Sequence, residues 1–259
     1  MPQQQQQPKP LASPTIGGNI DEVFECMTAL ADADQQSDSR RAIFLQLYVM
    51  VTGAVRDKIR QGGYFQDSEW AARYLVGFAN LYSAARYRYD RGESVPKAWR
   101  IAFQTADSRS GLVLQDLLLG VNAHINHDLA LALIEASIDP GRESRHRDHT
   151  AVNQILENLT NESQDKIAAL YAPGLAAADA LAGPLDEIAS AFSIEHAREN
   201  AWRHAVSLAS ARSGFERGLV KQGLDLQSAV LARLILAPVR VVPGLRTAFQ
   251  LVEQGFRLG

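Results

Sequence analysis

Residues 112–138, LVLQDLLLGVNAHINHDLALALIEASI, are apolar around most of a helical circumference and contain no proline. That is the pattern of a helix packed by neighbours on several sides. The same stretch carries Gln115, Asp116, Asn122, His124, Asn126, His127 and Asp128. Polar groups withdrawn from water need partners inside the fold or a cavity to face. At roughly 100° per residue, His124 and Asp128 fall one turn apart on one face, continued by Gly120 and Asp116 and flanked by His127. Gln115, Asn122 and Asn126 share the opposite face. Two polar stripes on one core helix mark a site without naming a reaction.

The rest of the chain reads as helical as well. Gly and Pro are sparse inside the periodic stretches, and 46% of the 259 residues are hydrophobic, enough for a substantial core. The expectation is one all-α, bundle-like domain over residues 19–259. Residues 1–18, with a glutamine run, four prolines and a closing Gly-Gly, predict a disordered tail too poor in apolar groups to offset its ordering entropy. The net charge of −3, with basic residues scattered among acidic ones, leaves no electrostatic footprint for nucleic acid. A single cysteine, Cys26, excludes an internal disulfide and fits the reducing cytoplasm; it sits in an apolar helix and reads as a core thiol. The first residues carry no secretory pattern, and no run of about 18 uninterrupted apolar residues suggests a membrane span.

In order along the chain, Asn19 followed by Glu22 predicts a helix start, with an end near Gln36. Ser37 or Asp38 is expected to cap a second helix that stops at Gly62-Gly63. Asp67 begins a third, whose stripe Trp70, Tyr74, Phe78 and Tyr82 is aromatic and includes Asn80; Gly92 ends it. Pro96 starts a shorter helix through Trp99 and Phe103. After the central helix, Asp139-Pro140-Gly141 is a turn, and RESRHRDH reads as a charged surface segment with His146, Asp148 and His149. Pro173-Gly174 and Gly183-Pro184 divide an alanine-rich stretch into short helices. Ser193 opens a long helix with Trp202 inward and His196, Arg198 and His204 as its polar groups. Pro238 and Pro243 break the last segment, with residues 239–242 as a short extended connector. There is no fixed repeat of about 20 to 50 residues.

A His and an Asp at i and i+4 can ligate one divalent metal, zinc above all. Asp148 is the expected third ligand to His124 and Asp128. The same pair can work without metal, Asp128 orienting His124 as an acid or base. Asn80, Tyr82, Trp99, Asn122, Asn126 and Trp202 are the expected substrate-binding groups, although the two asparagines also suit a clamp on a neighbouring helix. No phosphate loop, nucleophile elbow, HExxH or CxxC pattern occurs. Three readings stand: a metal-assisted hydrolase or lyase acting on a small or lipid-like molecule; a metal-free cyclase or isomerase of specialised metabolism; and a non-catalytic small-molecule-binding protein. A homo-oligomer is compatible with all three.

Two resemblances follow from particular words. Residues 122–129, NAHINHDL, with FANLY at 78–82 and the segment from Ser193 to Trp202, resemble an uncharacterised bacterial family of all-helical domains, which implies the fold over most of the chain and no activity. More distantly, Ala123-His124-x-x-x-Asp128-Leu129 is similar to one helix of the all-α zinc-dependent phospholipase C and single-strand nuclease group. That seven-residue likeness implies zinc on His124 and Asp128.

Overall fold

The computed structural model describes residues 11–171 and 193–241, and among them the secondary structure is entirely helical. Eight helices follow one another: α1 Ile20–Gln36, α2 Arg41–Gln61, α3 Ser68–Tyr89, α4 Lys97–Ser108, α5 Val113–Glu135, α6 Arg142–Tyr171, α7 Ile194–Ser210 and α8 Gly214–Val241. Three of the starts, those of α1, α3 and α7, follow from side-chain caps. The Asn19 carboxamide oxygen accepts the N–H groups of Asp21 and Glu22, and Asp67 accepts from Trp70 N at 2.8 Å. Ser193 accepts from His196 N. These satisfy donors that have no partner within a helix's first turn. Gly62 (φ 70°) and Gly92 (φ 72°) take left-handed backbone conformations just past α2 and α3, where a Cβ would be strained.

Three expectations change at the element level. α2 starts at Arg41 with no side-chain cap from Ser37 or Asp38. Helix α8 runs through Pro238 to Val241, so residues 239–241 are not extended. Cys26 is exposed, because Val23, Met27, Ala31 and Asp34 form the inward stripe of α1 and position 26 lies off it. The alanine-rich stretch with Pro173-Gly174 and Gly183-Pro184 lies outside the described residues.

Residues 11–18, expected within the tail, make specific contacts. The Asn80 side chain accepts from Ile16 N (3.0 Å) and donates to Gly17 O (2.9 Å), Ser83 donates to Pro14 O, and Arg91 reaches Leu11 O. Residues 11–18 therefore lie along α3, held by hydrogen bonds between their backbone and the side chains of Asn80, Ser83 and Arg91, and by Ile16 packed against the core. Residues 1–10 lie outside the described part.

Helix α5 is the axis of the molecule. It is long and apolar enough to cross a membrane, yet 83% of its most apolar window is buried by the other helices. Its first half packs against α4 and α8, its second half against α3 and α7, and α2 crosses its N-terminal half. Gly120 is the point of closest approach: a Cβ there would sit 2.4 Å from the Phe44 ring of α2. On the far side, Gln115 accepts from Leu112 N and donates to Ile235 O of α8, and Asn122 donates to Ser228 O of the same helix. Helix α8 turns Leu224, Ala232 and Leu236 inward and leaves Phe215, Leu219, Leu226, Val230 and Leu234 exposed.

Buried ion pairs close the end of the bundle where α1, α2, α3 and α4 meet. Arg86 (α3) makes a two-pronged pair with Asp34 (α1), both fully buried. Arg41 (α2) bonds Asp107 through Nε at 2.6 Å and Asp90 through Nη1 at 2.5 Å. Such pairs offset their desolvation only while both members are present. Asp34→Leu alone is expected to lower unfolding stability by about 3–5 kcal/mol, whereas Asp34→Leu with Arg86→Met recovers most of that loss. Urea unfolding of the three proteins checks it.

Candidate functional site

The central helix changes its winding at the polar cluster. Residues His124–Asp128 form a π-helical turn, in which Leu129 N–H bonds His124 O, five residues back. Turns of this kind insert one extra residue into an α-helix and recur at functional sites. Within this one, the Asp128 carboxylate collects three nitrogens. Oδ2 accepts from the Trp99 indole at 2.7 Å and faces His124 Nδ1 at 3.3 Å, and Oδ1 faces His127 Nδ1 at 2.8 Å. Asp128 is 2% exposed, and a carboxylate so deep is tolerated only with its lone pairs filled.

Electrostatics then divides the two histidines. Burial pushes the Asp128 carboxyl up, but the bonds from His124 and His127 outweigh it and hold the group below the usual carboxylate range. His127 is also disfavoured as a cation by burial, yet Asp128 beside it raises it above the ordinary histidine value. For His124 burial wins over the pull of Asp128, and the imidazole is lowered. A neutral His124 with Nδ1–H donated to Asp128 carries its lone pair on Nε2. That atom is buried without a hydrogen-bond partner. Its ring stacks on Phe78 with centroids 3.4 Å apart and meets the Tyr48 ring edge-on at 4.3 Å.

His124 lines a cavity of about 420 Å³ whose wall comes from α2, α3, α5, α6 and the start of α7, within the size range of small-molecule sites. Its wall is aromatic and aliphatic: Phe44 and Tyr48 from α2, Tyr74 and Phe78 from α3, Val121 from α5 and Val152 from α6. Polar groups are few, namely His124, the Tyr48 and Tyr74 hydroxyls, Asp148 and Arg198. The Tyr48 hydroxyl, like His124 Nε2, is buried without a partner. Burial raises Tyr48 well above the ordinary phenol value, so it remains a neutral donor.

The structure brings together only part of the expected site. His124 and Asp128 meet as expected, and Trp99 joins them as a donor to Asp128 rather than as a cavity wall. Asp148 does not converge on the pair: its oxygens accept from Gln66 N (2.7 Å) and Asp67 N (2.8 Å), anchoring the loop before α3, although the residue does reach the cavity. Among the described residues no three His, Cys, Asp or Glu side chains are grouped to hold a metal ion. Asn126 donates to Asn122, which donates in turn to Ser228 O of α8, the arrangement of a helix clamp. Asn80 holds the N-terminal segment. Tyr82 packs between Phe44, Trp99 and Arg86 behind the cavity. Trp202 packs on His146 and His149.

The segment RESRHRDH is not a surface strip. It is the first two turns of α6, and Asp148 and His149 begin the inward stripe that continues through Val152 and Ile155, while half-exposed His146 pairs with Glu199 at 2.9 Å. Tyr48 went unmarked in the sequence because it looks like one more apolar-face residue of α2. Its only signal is the neighbouring polar Thr52, one turn on.

The family of unknown function DUF5995 matches residues 20–238. The chain belongs to that family. Neither the curated proteins nor the solved structures compared with the chain gave a match. The DUF5995 match spans the whole cavity wall, so the pocket and the His124–Asp128 pair both lie within the family domain.

His149 bonds the Arg198 carbonyl through Nε2 at 3.1 Å and faces the Arg198 guanidinium with Nδ1, and burial followed by that positive charge holds it well below the usual histidine range. A histidine lowered in the folded state supports folding above its unfolded value, about 6.5, and that contribution is lost as the pH falls below it. His124 acts in the same direction. His127, raised, acts in the opposite one, since its contribution is complete below about 6.5 and is lost as pH rises through its folded value. Asp116, raised by burial to about 7, acts with His127, two groups against two, so the His149 contribution is read by difference: between pH 7.5 and pH 5.5 the urea midpoint of His149→Gln is expected to fall by less, or rise by more, than that of the parent protein.

Proposed function

We propose that this DUF5995 protein is a metal-free enzyme of the isomerase or cyclase class that binds a small apolar molecule in the cavity and uses His124 as its proton acceptor. The observation that carries the reading is the unpaired Nε2 of a neutral His124, fixed by Asp128 at the wall of an apolar cavity. A base in such a setting takes a proton from a carbon or hydroxyl of the bound molecule, becomes imidazolium, and is stabilised by the Asp128 carboxylate. Returning the proton to a different atom completes an isomerisation or a ring closure with no change in oxidation state. The neutral Tyr48 hydroxyl beside His124 supplies a donor for an oxygen on which charge develops.

The metal-assisted hydrolase reading has less support. The oxygens of Asp128 are taken up by three nitrogens, and those of Asp148 by two backbone N–H groups. A ligand role would require both sets to be given up.

The reading is tested without knowing the substrate. The small-molecule fraction of a cell extract is incubated with the protein in D₂O and examined by mass spectrometry. Wild-type protein is expected to place deuterium on carbon in a small set of compounds, and His124→Gln to lose at least about a hundredfold of that rate, within the range of a missing acid or base. No incorporation by the wild type, or equal incorporation by His124→Gln, overturns the reading and favours a protein that binds without catalysis.

A further inference from the structure

The second charged feature of the cavity lies opposite in kind to the His124 pair. Arg198 of α7 is 3% exposed and lines the same cavity. Its Nε donates to the Asn153 side-chain oxygen at 2.7 Å, and its Nη2 donates to the His149 carbonyl at 2.6 Å and faces His149 Nδ1. The Tyr74 hydroxyl lies alongside. Every one of these partners is neutral, since His149 is held uncharged. No ion pair joins Arg198 to a carboxylate among the described residues. The other deep arginines behave differently: Arg86 has Asp34, and Arg41 has Asp90 and Asp107.

A guanidinium stays charged at any pH the protein meets. Burying it without an anion costs several kcal/mol. Neutral acceptors orient such a group but do not neutralise it, which leaves its charge directed at whatever fills an otherwise apolar cavity. Asp148 also touches the cavity, but its oxygens already accept two backbone N–H bonds, so it offers a cation far less than Arg198 offers an anion.

We infer that the cavity takes an apolar monocarboxylic acid, its carboxylate paired with Arg198 and its hydrocarbon body lying against the aromatic and aliphatic wall toward His124. The planar fork of Arg suits a carboxylate in particular. The inference rests on the cavity being a ligand site, and it narrows the substrate class of the proposed enzyme to acids with an apolar body.

The test is competition against N-phenyl-1-naphthylamine, a neutral fluorescent probe, on the full chain at pH 7.5. Decanoate is expected to displace the probe at concentrations at least about tenfold lower than decanol or methyl decanoate, the effect of one charge-assisted contact. Arg198→Gln should still bind the probe and decanol but lose that preference. If decanol competes as well as decanoate, if decylamine competes better, or if the preference survives in Arg198→Gln, the inference is overturned while the cavity remains a ligand site. If the wild type binds neither the probe nor any competitor, the cavity reading falls and this inference with it. Should Arg198→Gln not fold, the wild-type comparison of acid, alcohol, ester and amine decides the matter alone.

Discussion

A carboxylate cut off from water has to be surrounded by donors or it will not stay ionised, and Asp128 is surrounded by three. Trp99 brings α4 to the central helix, His127 contacts the group and has its own cation favoured in return, and His124 is left neutral with one nitrogen spoken for. Removing any donor disturbs the other two, because they share the same two oxygens. The packing of α4 against α5, the charge state of both histidines and the orientation of the imidazole at the cavity are therefore one arrangement. The ordinary aromatic core is built around it: Phe44, Tyr48 and Phe78 enclose the His124 ring on several sides.

The molecule separates its polar groups by task. At the end where α1 to α4 meet, Arg–Asp pairs tie the helices together and lie apart from the large cavity that His124 lines. Between α5 and α8, carboxamides satisfy backbone carbonyls and serve helix packing. Around the cavity, His124 Nε2 and the Tyr48 hydroxyl lack partners, and Arg198 has no ion pair to a carboxylate among the described residues. Arg86 Nε, Asp90 Oδ2 and Asp116 Oδ1 are also buried without partners, but each belongs to a residue already held in an ion pair.

Much of this was legible in the sequence where the signal is local. The central helix, its two polar stripes and the meeting of His124 with Asp128 follow from residue spacing alone, and so do the caps at Asn19, Asp67 and Ser193. What depends on helices distant along the chain was not legible. A run such as RESRHRDH looks solvated because five of its eight side chains bear charge, yet only one stripe of α6 turns inward, and that stripe includes Asp148 and His149. Asn80 reads as a ligand group among aromatics until residues 16 and 17, over sixty positions away, prove to be its partners. Arg198 is one of several polar groups on α7, and what sets it apart is that no ion pair joins it to a carboxylate among the described residues, which no spacing encodes.

The extra residue in the turn from His124 to Asp128 sets the phase of everything after it. An α-helix advances by about 100° per residue, so inserting one residue rotates the helix face beyond it by roughly that amount. The half before the turn thus addresses α4 and α8, and the half after it addresses α3 and α7. The helix behaves as two short screws of different register joined at the His124–Asp128 pair. A one-residue deletion there would leave composition and hydropathy almost untouched while turning the whole second half to the wrong neighbours. Across related chains, length in this interval should accordingly vary far less than amino-acid identity does.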